Sequence, residues 1–376
     1  MSSSCRETPD GADLSVPPLA PHPVFRGRRG RRGQGLHGLQ PHAASDDVRE
    51  RRSRLPPPEG GGAGLGRGLR AAGRGARPRR GQARADADAA RLRGVLPGQC
   101  LYVPIVDETG GMLNDPVAVK LAEDRWWISI ADSDLLFWVK AVAHGWRLDV
   151  LVEEPDVSPL AVQGPKADDL MARVFGEAVR EVRFFRFGQF AFEGRWLVVA
   201  RSGYSKQGGY EIYVEGSDLG MPLWHALMEA GRDLDVRAGC PNLIERIESG
   251  LLSYGNDMTR ENTPHECGLG RFCNTQTAIG CIGRDALLRV AMEGPVRQIR
   301  PIAIAGGPVP PCVELWPVTV GGKPVGRVSS AVWSPDFGTN VAIGMVRMTH
   351  WDPGTALTVE TPDGPREAVV QETFWN

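Results

Sequence analysis

The sequence predicts an α+β protein of more than one domain that ends in a small β-barrel or sandwich. Three observations point there. From about Cys100, segments rich in β-branched and aromatic residues alternate with segments of helical period. After about Ile279 the texture changes to short strands separated by Gly and Pro turns. The first 92 residues show neither pattern, while the 376 residues as a whole, 41% hydrophobic, suffice for two or three packed domains. The expected division is an irregular, disordered stretch over 1–92, a main domain over 93–275 and the β-barrel domain over 276–376.

The formal net charge of -1 hides an asymmetry. Before Tyr102 there is no Tyr, Trp, Lys or Ile, and Phe25 is the only Phe. Arg, Gly, Ala and Pro dominate there, giving roughly +10 and leaving roughly -11 for the remainder. Three origins fit. One is a basic arm for nucleic acid or acidic surfaces, given Arg26-Gly27-Arg28-Arg29-Gly30-Arg31-Arg32-Gly33. Another is an arginine-rich transit peptide, although the acidic residues and prolines oppose an amphipathic helix. The third, preferred here, is a segment read out of frame, because GC-rich coding DNA read that way yields mainly these residues. Shifted by one base, with the wobble base free, Leu36–Ala44 can read Y-T-V-Y-N-H-M-L-L and Ala63–Gly68 can read Q-V-W-D-V-A. Two compensating indels, the second near Arg91, then restore the frame at about Leu92. No nucleic-acid partner is expected.

No run of 18 apolar residues exists, so no helical membrane span is expected. The N-terminus lacks the basic-then-apolar order of a signal peptide, and a cytoplasmic location is expected. The seven cysteines form no C-x-x-C pair, and Cys267, Cys273 and Cys281 are too loosely spaced for a zinc knuckle. Reduced structural thiols and no metal are expected.

Taken in order, Leu101–Val106, Val117–Leu121 and Trp126–Ala131 read as strands. Asp132-Ser133 offers an N-cap for a helix from Leu135 that closes near Gly145. Leu148–Val152 and Leu160–Gln163 are further strands, and Gly164-Pro165 opens a helix over Ala167–Phe175. Phe184–Phe187 reads as core strand with a solvated arginine. Trp196–Ala200 and Tyr210–Val214 form a strand pair, and Pro222–Gly231 and Ile244–Ser253 have helical period. Pro317–Val320, Gly326–Ser330, Ala342–Val346 and Ala356–Val359 supply strands of the last domain.

Four segments then stand in an order that carries a resemblance. Gly110-Gly111-Met112-Leu113-Asn114-Asp115 is similar to a G-G-x-x-x-D turn. Arg201-Ser202-Gly203-Tyr204 through Gly209-Tyr210-Glu211-Ile212 is similar to R-T-G-Y-T-G-E-x-G-F/Y-E-I. Arg246-Ile247-Glu248-Ser249-Gly250 with Tyr254-Gly255-Asn256-Asp257, followed by Pro264-x-Glu266-x-Gly268-Leu269-Gly270, is similar to R-L-E-A-G-x-x-x-Y-G-x-D and its sequel. Ile282–Leu287 comes next, with Val328-Ser329-Ser330 and Trp333-Ser334-Pro335 beyond it. Each is common alone; together, over about 280 residues, the chain resembles the folate-dependent glycine-cleavage T-protein family. Asn114-Asp115-Pro116, Ala131–Asp134, Glu154–Pro159 and Arg246–Gly250 resemble its dimethylsulfoniopropionate-demethylase branch, where aminomethyltransferases typically carry D-D-L for the first. The two shifted-frame strings also resemble that branch's N-terminal stretch.

The resemblance implies a folate-binding T-protein-like fold and transfer of a methyl group from dimethylsulfoniopropionate, or a similar donor, to N5 of tetrahydrofolate. It assigns the catalytic carboxylate near N5 to Asp115, which can hold the pterin and collect its proton; as a residue, Asp115 also suits turn closure. It assigns Glu211 to the pterin, because a carboxylate accepts two parallel hydrogen bonds from the 2-amino group and ring N–H; a strand-face pairing with Arg is the alternative. Arg246 meets either an anionic folate tail or a buried acid. Tyr204 and Tyr254 are candidate pocket walls, since an aromatic face attracts a sulfonium, and core packing explains them too. The demethylase branch often has Trp where Tyr204 stands. Glu266 and Trp333 are expected to contact folate. The alternatives are an aminomethyltransferase that needs a lipoyl carrier protein, and a non-catalytic folate-binding protein of the iron–sulfur maturation type. The latter carries K-G-C-Y-x-G-Q, which Arg271–Gln276 does not match.

Overall fold

The computed structural model describes residues 67–72, 94–130, 135–275 and 281–375. The first sheet has five antiparallel strands in the order β2-β5-β6-β1-β7: β1 (Arg67–Ala72), β2 (Cys100–Tyr102), β5 (Val117–Ala122), β6 (Arg125–Ile130) and β7 (Leu151–Glu153). The expected strand over Leu101–Val106 splits at Val103-Pro104. Its second part, β3 (Ile105–Val106), forms a separate hairpin with β4 (Met112–Asn114). Proline has no N–H for a ladder, so the break follows.

Part of the N-terminal expectation is corrected. Arg67–Ala72 forms a strand, paired with β6 on one side and β7 on the other. The rest of 1–93, the Asp132-Ser133 cap and the onset of the change at Ile279 lie outside the described residues.

The second sheet runs β8-β11-β10-β9, from β8 (Val157–Gln163), β9 (Phe187–Phe192), β10 (Arg195–Ala200) and β11 (Gly209–Glu215). Pro159 is tolerated because β8 is an edge strand. The two sheets stack between helices. On the outer face of the first sheet, Ala118 and Ile130 pack with Leu135 of α1 (Leu135–Gly145). Between the sheets lie Val119, Trp127, Val198, Ala200 and Tyr213. On the far face of the second sheet, Leu197, Val199, Tyr210 and Ile212 pack against α2 (Ala167–Phe175) and α3 (Gly220–Ala230). Both faces of β10 and β11 are therefore buried, which explains why their sequences run apolar without alternation.

The strand expected at Phe184–Phe187 is another correction. Phe184 is 74% exposed and Phe185 has φ of 55°, a turn conformation; the strand starts only at Phe187.

The C-terminal domain is a closed six-stranded barrel, β12-β15-β14-β13-β16-β17, and not a sandwich. Its strands are β12 (Arg297–Ile304), β13 (Trp316–Val320), β14 (Lys323–Ser334), β15 (Thr339–Arg347), β16 (Ala356–Thr361) and β17 (Gly364–Val370). Ala342 and Val346 of β15 fill the interior. Val341, Ile343 and Met345 point outward into a junction core with Met112, Ile247, Met258 and Leu287. That junction joins the hairpin, α4 (Leu243–Glu248), α5 (Arg284–Glu293) and the barrel wall.

Candidate active site

The Gly110-Gly111 turn sets the position of Asp115. Gly110 has φ of 83°, which glycine adopts freely, and a Cβ on Gly111 would collide with the Arg260 carbonyl oxygen. Inside the turn, Asp107 is fully buried and accepts from Thr109 N (2.9 Å), Thr109 Oγ1 (2.6 Å), Gly111 N (3.0 Å) and Arg260 Nε. Burial opposes its charge, but these donors outweigh burial and hold its pKa below the ordinary value. The turn launches β4, which delivers Asn114 and Asp115 to the junction core.

Asp115 keeps an open side while lying deep in that junction. Burial pushes its pKa up to about 7, against the opposing effect of a hydrogen bond from Tyr102. Its charge interacts with Asp257, Tyr204, Tyr254 and Cys267. Tyr204 in turn lines a cavity of about 1230 Å³, which Asp115 itself does not line.

That cavity also contains Glu211 and Trp333. Glu211 projects from β11 on the opposite side to Tyr210 and Ile212, as strand alternation requires. Burial raises its pKa, and Ser202 Oγ donates to Oε2 and works against the rise. No arginine pairs with it among the described residues, unlike the strand-face alternative. Gln163 braces the wall beside it: Nε2 donates to Ser202 O (3.1 Å) and Tyr210 O (3.2 Å), and Ser205 Oγ donates to Oε1 (2.9 Å).

The remaining candidates make the following contacts. Arg246 is 5% exposed and donates to Asp257 Oδ2 (2.6 Å), Leu251 O (2.9 Å) and Ser330 Oγ (2.5 Å). Burial opposes its charge, and the Asp257 carboxylate more than offsets that. Of the two readings open for Arg246, the structure supplies the buried acid. Tyr254 donates to Met112 O at 3.1 Å, tying its loop to β4. Glu266 accepts from Arg297 Nε (2.9 Å) and Thr263 N (2.8 Å), and does not line the cavity. Tyr204 Oη donates to Leu252 O (2.6 Å), so its ring is fixed at the cavity edge.

Residues 87–277 match the GCVT N-terminal domain, and residues 297–375 match the glycine cleavage T-protein C-terminal barrel domain. The chain belongs to the glycine-cleavage T-protein family. Within this family it is 66% identical over 277 residues to dimethylsulfoniopropionate demethylase DmdA of Ruegeria pomeroyi, covering 74% of this chain and 75% of that one. An aminomethyltransferase of Halothermothrix orenii is 30% identical over 268 residues, covering 70% and 73%. The crystal structure of glycine cleavage system aminomethyltransferase T from Bartonella henselae superposes with a TM-score of 0.73 at 21% identity, covering 84% and 85%, and shows the same fold.

For a T-protein-family chain, the sequence motifs pointed to Asp115 and Glu211 but not to their hydrogen-bond partners. Tyr102 and Ser202 make those contacts, from positions 13 and 9 residues away in sequence from Asp115 and Glu211, and Gln163 braces Ser202 from 39 residues away. Only Ser202 lay inside a quoted motif.

Proposed function

We propose that this chain transfers a methyl group from dimethylsulfoniopropionate, or a closely similar sulfonium, to N5 of tetrahydrofolate. The observation that carries the choice of donor is the gap between 66% identity to the demethylase and 30% to the aminomethyltransferase over similar coverage.

The cavity residues fit a reduced folate. Among the described residues Glu211 has one side-chain donor, Ser202, and a carboxylate has capacity for more, so it suits the 2-amino and ring N–H pair of a pterin. A volume of about 1230 Å³ admits a ligand of that size. When bound, the folate supplies the nucleophilic nitrogen. Glu211 orients the pterin, and Trp333 and Tyr204 wall the cavity. The Tyr204 face can also stabilise a sulfonium, by roughly 0.5–2 kcal/mol. Asp115, with a pKa near 7, takes up the proton that the nitrogen sheds on gaining a methyl group. The donor loses the C–S bond and keeps its electron pair, leaving as a neutral thioether.

The partners of this reading are the small-molecule donor and folate. No nucleic acid, membrane or lipoyl carrier enters it, and a cytoplasmic setting suits it; no helix among the described residues is long and apolar enough to cross a membrane. The test is a side-by-side assay with tetrahydrofolate. Methyl-folate from dimethylsulfoniopropionate supports the reading, and methylene-folate with ammonia from an aminomethyl-lipoyl carrier overturns it.

A further inference from the structure

The steps above leave a phenol at the site without a role. Tyr102, on β2, donates from Oη to Asp115 Oδ2 across the end of the first sheet. Its ring meets Phe272 edge-on, with centroids 4.9 Å apart and planes at 69°. The Asp115 amide N–H donates to Asn114 Oδ1 at 2.9 Å. Backbone and side chain of Asp115 are thus both anchored. A phenol whose ring is locked by packing has little freedom left to lose, so it holds its acceptor in one geometry.

We propose that Tyr102 is a positioning residue for methyl transfer: it pins Asp115 Oδ2 and leaves Oδ1 to receive the proton. This rests on the role given to Asp115 above. Among the described residues no other side chain donates to that carboxylate. The ionisable groups facing it are Tyr102 from β2, Tyr204 from the β10–β11 loop, Tyr254 and Asp257 from the segment after α4, and Cys267 beyond them.

Burial raises the Tyr102 phenol far above its ordinary range, and the neighbouring Asp115 charge adds to this. Tyr102 therefore stays a donor throughout the working pH range and does not compete for the proton. Its hydrogen bond favours the ionised carboxylate, in opposition to burial. Losing that bond should drive Asp115 further toward its protonated form, which cannot accept.

The test is an infrared titration of the Asp115 carboxyl band, assigned by its absence in Asp115→Asn. It reads one group and needs no turnover. Tyr102→Phe keeps the ring against Phe272 and should move the midpoint up by about one pH unit. Site-specific 3-fluorotyrosine at 102, a stronger donor of nearly the same shape, should move it down and covers the case in which Tyr102→Phe does not fold. An unmoved midpoint with either replacement overturns the proposal. A moved midpoint in a protein that makes no methyl-folate from dimethylsulfoniopropionate keeps the Tyr102–Asp115 coupling and removes the demethylase reading.

Discussion

Asp115 occupies a place where folding and chemistry make opposite demands. Its pKa stands near 7, well above the ordinary 3.8, because burial disfavours the charge. Between those values the unfolded chain has released a proton that the folded chain still binds. Stability from this group is therefore complete below about pH 4 and is lost as pH rises toward 7. Asp115→Asn should consequently stabilise the protein, by an increment that grows from pH 4 to 7 and then levels, while cutting methyl transfer about 10²–10⁴-fold. Thermal melts over that range check the first part; a pH-independent difference would contradict it. Asp115 and Glu211 could be proposed from the sequence because both stand in motifs with fixed spacing. Their surroundings could not, because a hydrogen bond from Tyr102, or the brace that Gln163 gives Ser202, is made by folding and leaves no local pattern.

At the scale of elements, α4 and β14 form the bolt between the main domain and the barrel. Adjacent strand residues normally face opposite ways, yet Ser329 Oγ (2.7 Å) and Ser330 Oγ (2.6 Å) both donate to Asp257 Oδ1. A register shift between Val328 and Ser330 makes this possible. Arg246 completes the cluster from α4, and Glu248, two residues on, accepts from Ser334 Oγ at 2.6 Å and from Lys206. The helical period suggested Ile244–Ser253, but the helix ends at Glu248. Gly250 takes φ of 66° there, and the Phe374 ring fills the space a side chain would need. Arg246→Ala removes one partner of a buried ion pair and should cost about 3–5 kcal/mol in a denaturation experiment. A folate-tail contact would instead weaken folate binding and leave stability unchanged. Strands β12 and β17 escaped the sequence reading for a related reason. Glu367 and Val369 alternate with the Ala368 and Val370 that face the barrel interior, and Arg366 shares the inner parity, so the apolar signal is thin.

Over the whole molecule, two stacked sheets flanked by helices abut a closed barrel, and the cavity opens beside their junction. The barrel was legible from the Gly and Pro turns after the first domain. The stacking was not, because strands buried on both faces give no alternation to orient them. The N-terminal stretch remains at odds with its position. β1 occupies a place between β6 and β7 that suits a core strand, while its residues read Arg-Gly-Leu-Arg-Ala-Ala. That contrast supports the out-of-frame origin proposed for residues before about Leu92. A frame-restored chain should therefore bind tetrahydrofolate at least about tenfold more tightly in calorimetry, a gain of roughly 1.4 kcal/mol. Equal affinities would refute that origin. With the restored chain, dimethylsulfoniopropionate carrying deuterated methyl groups tests the central claim most directly. Mass spectrometry should find an intact trideuteriomethyl group on the folate. A methylene-folate product, or a methyl group that has lost deuterium, would contradict direct methyl transfer.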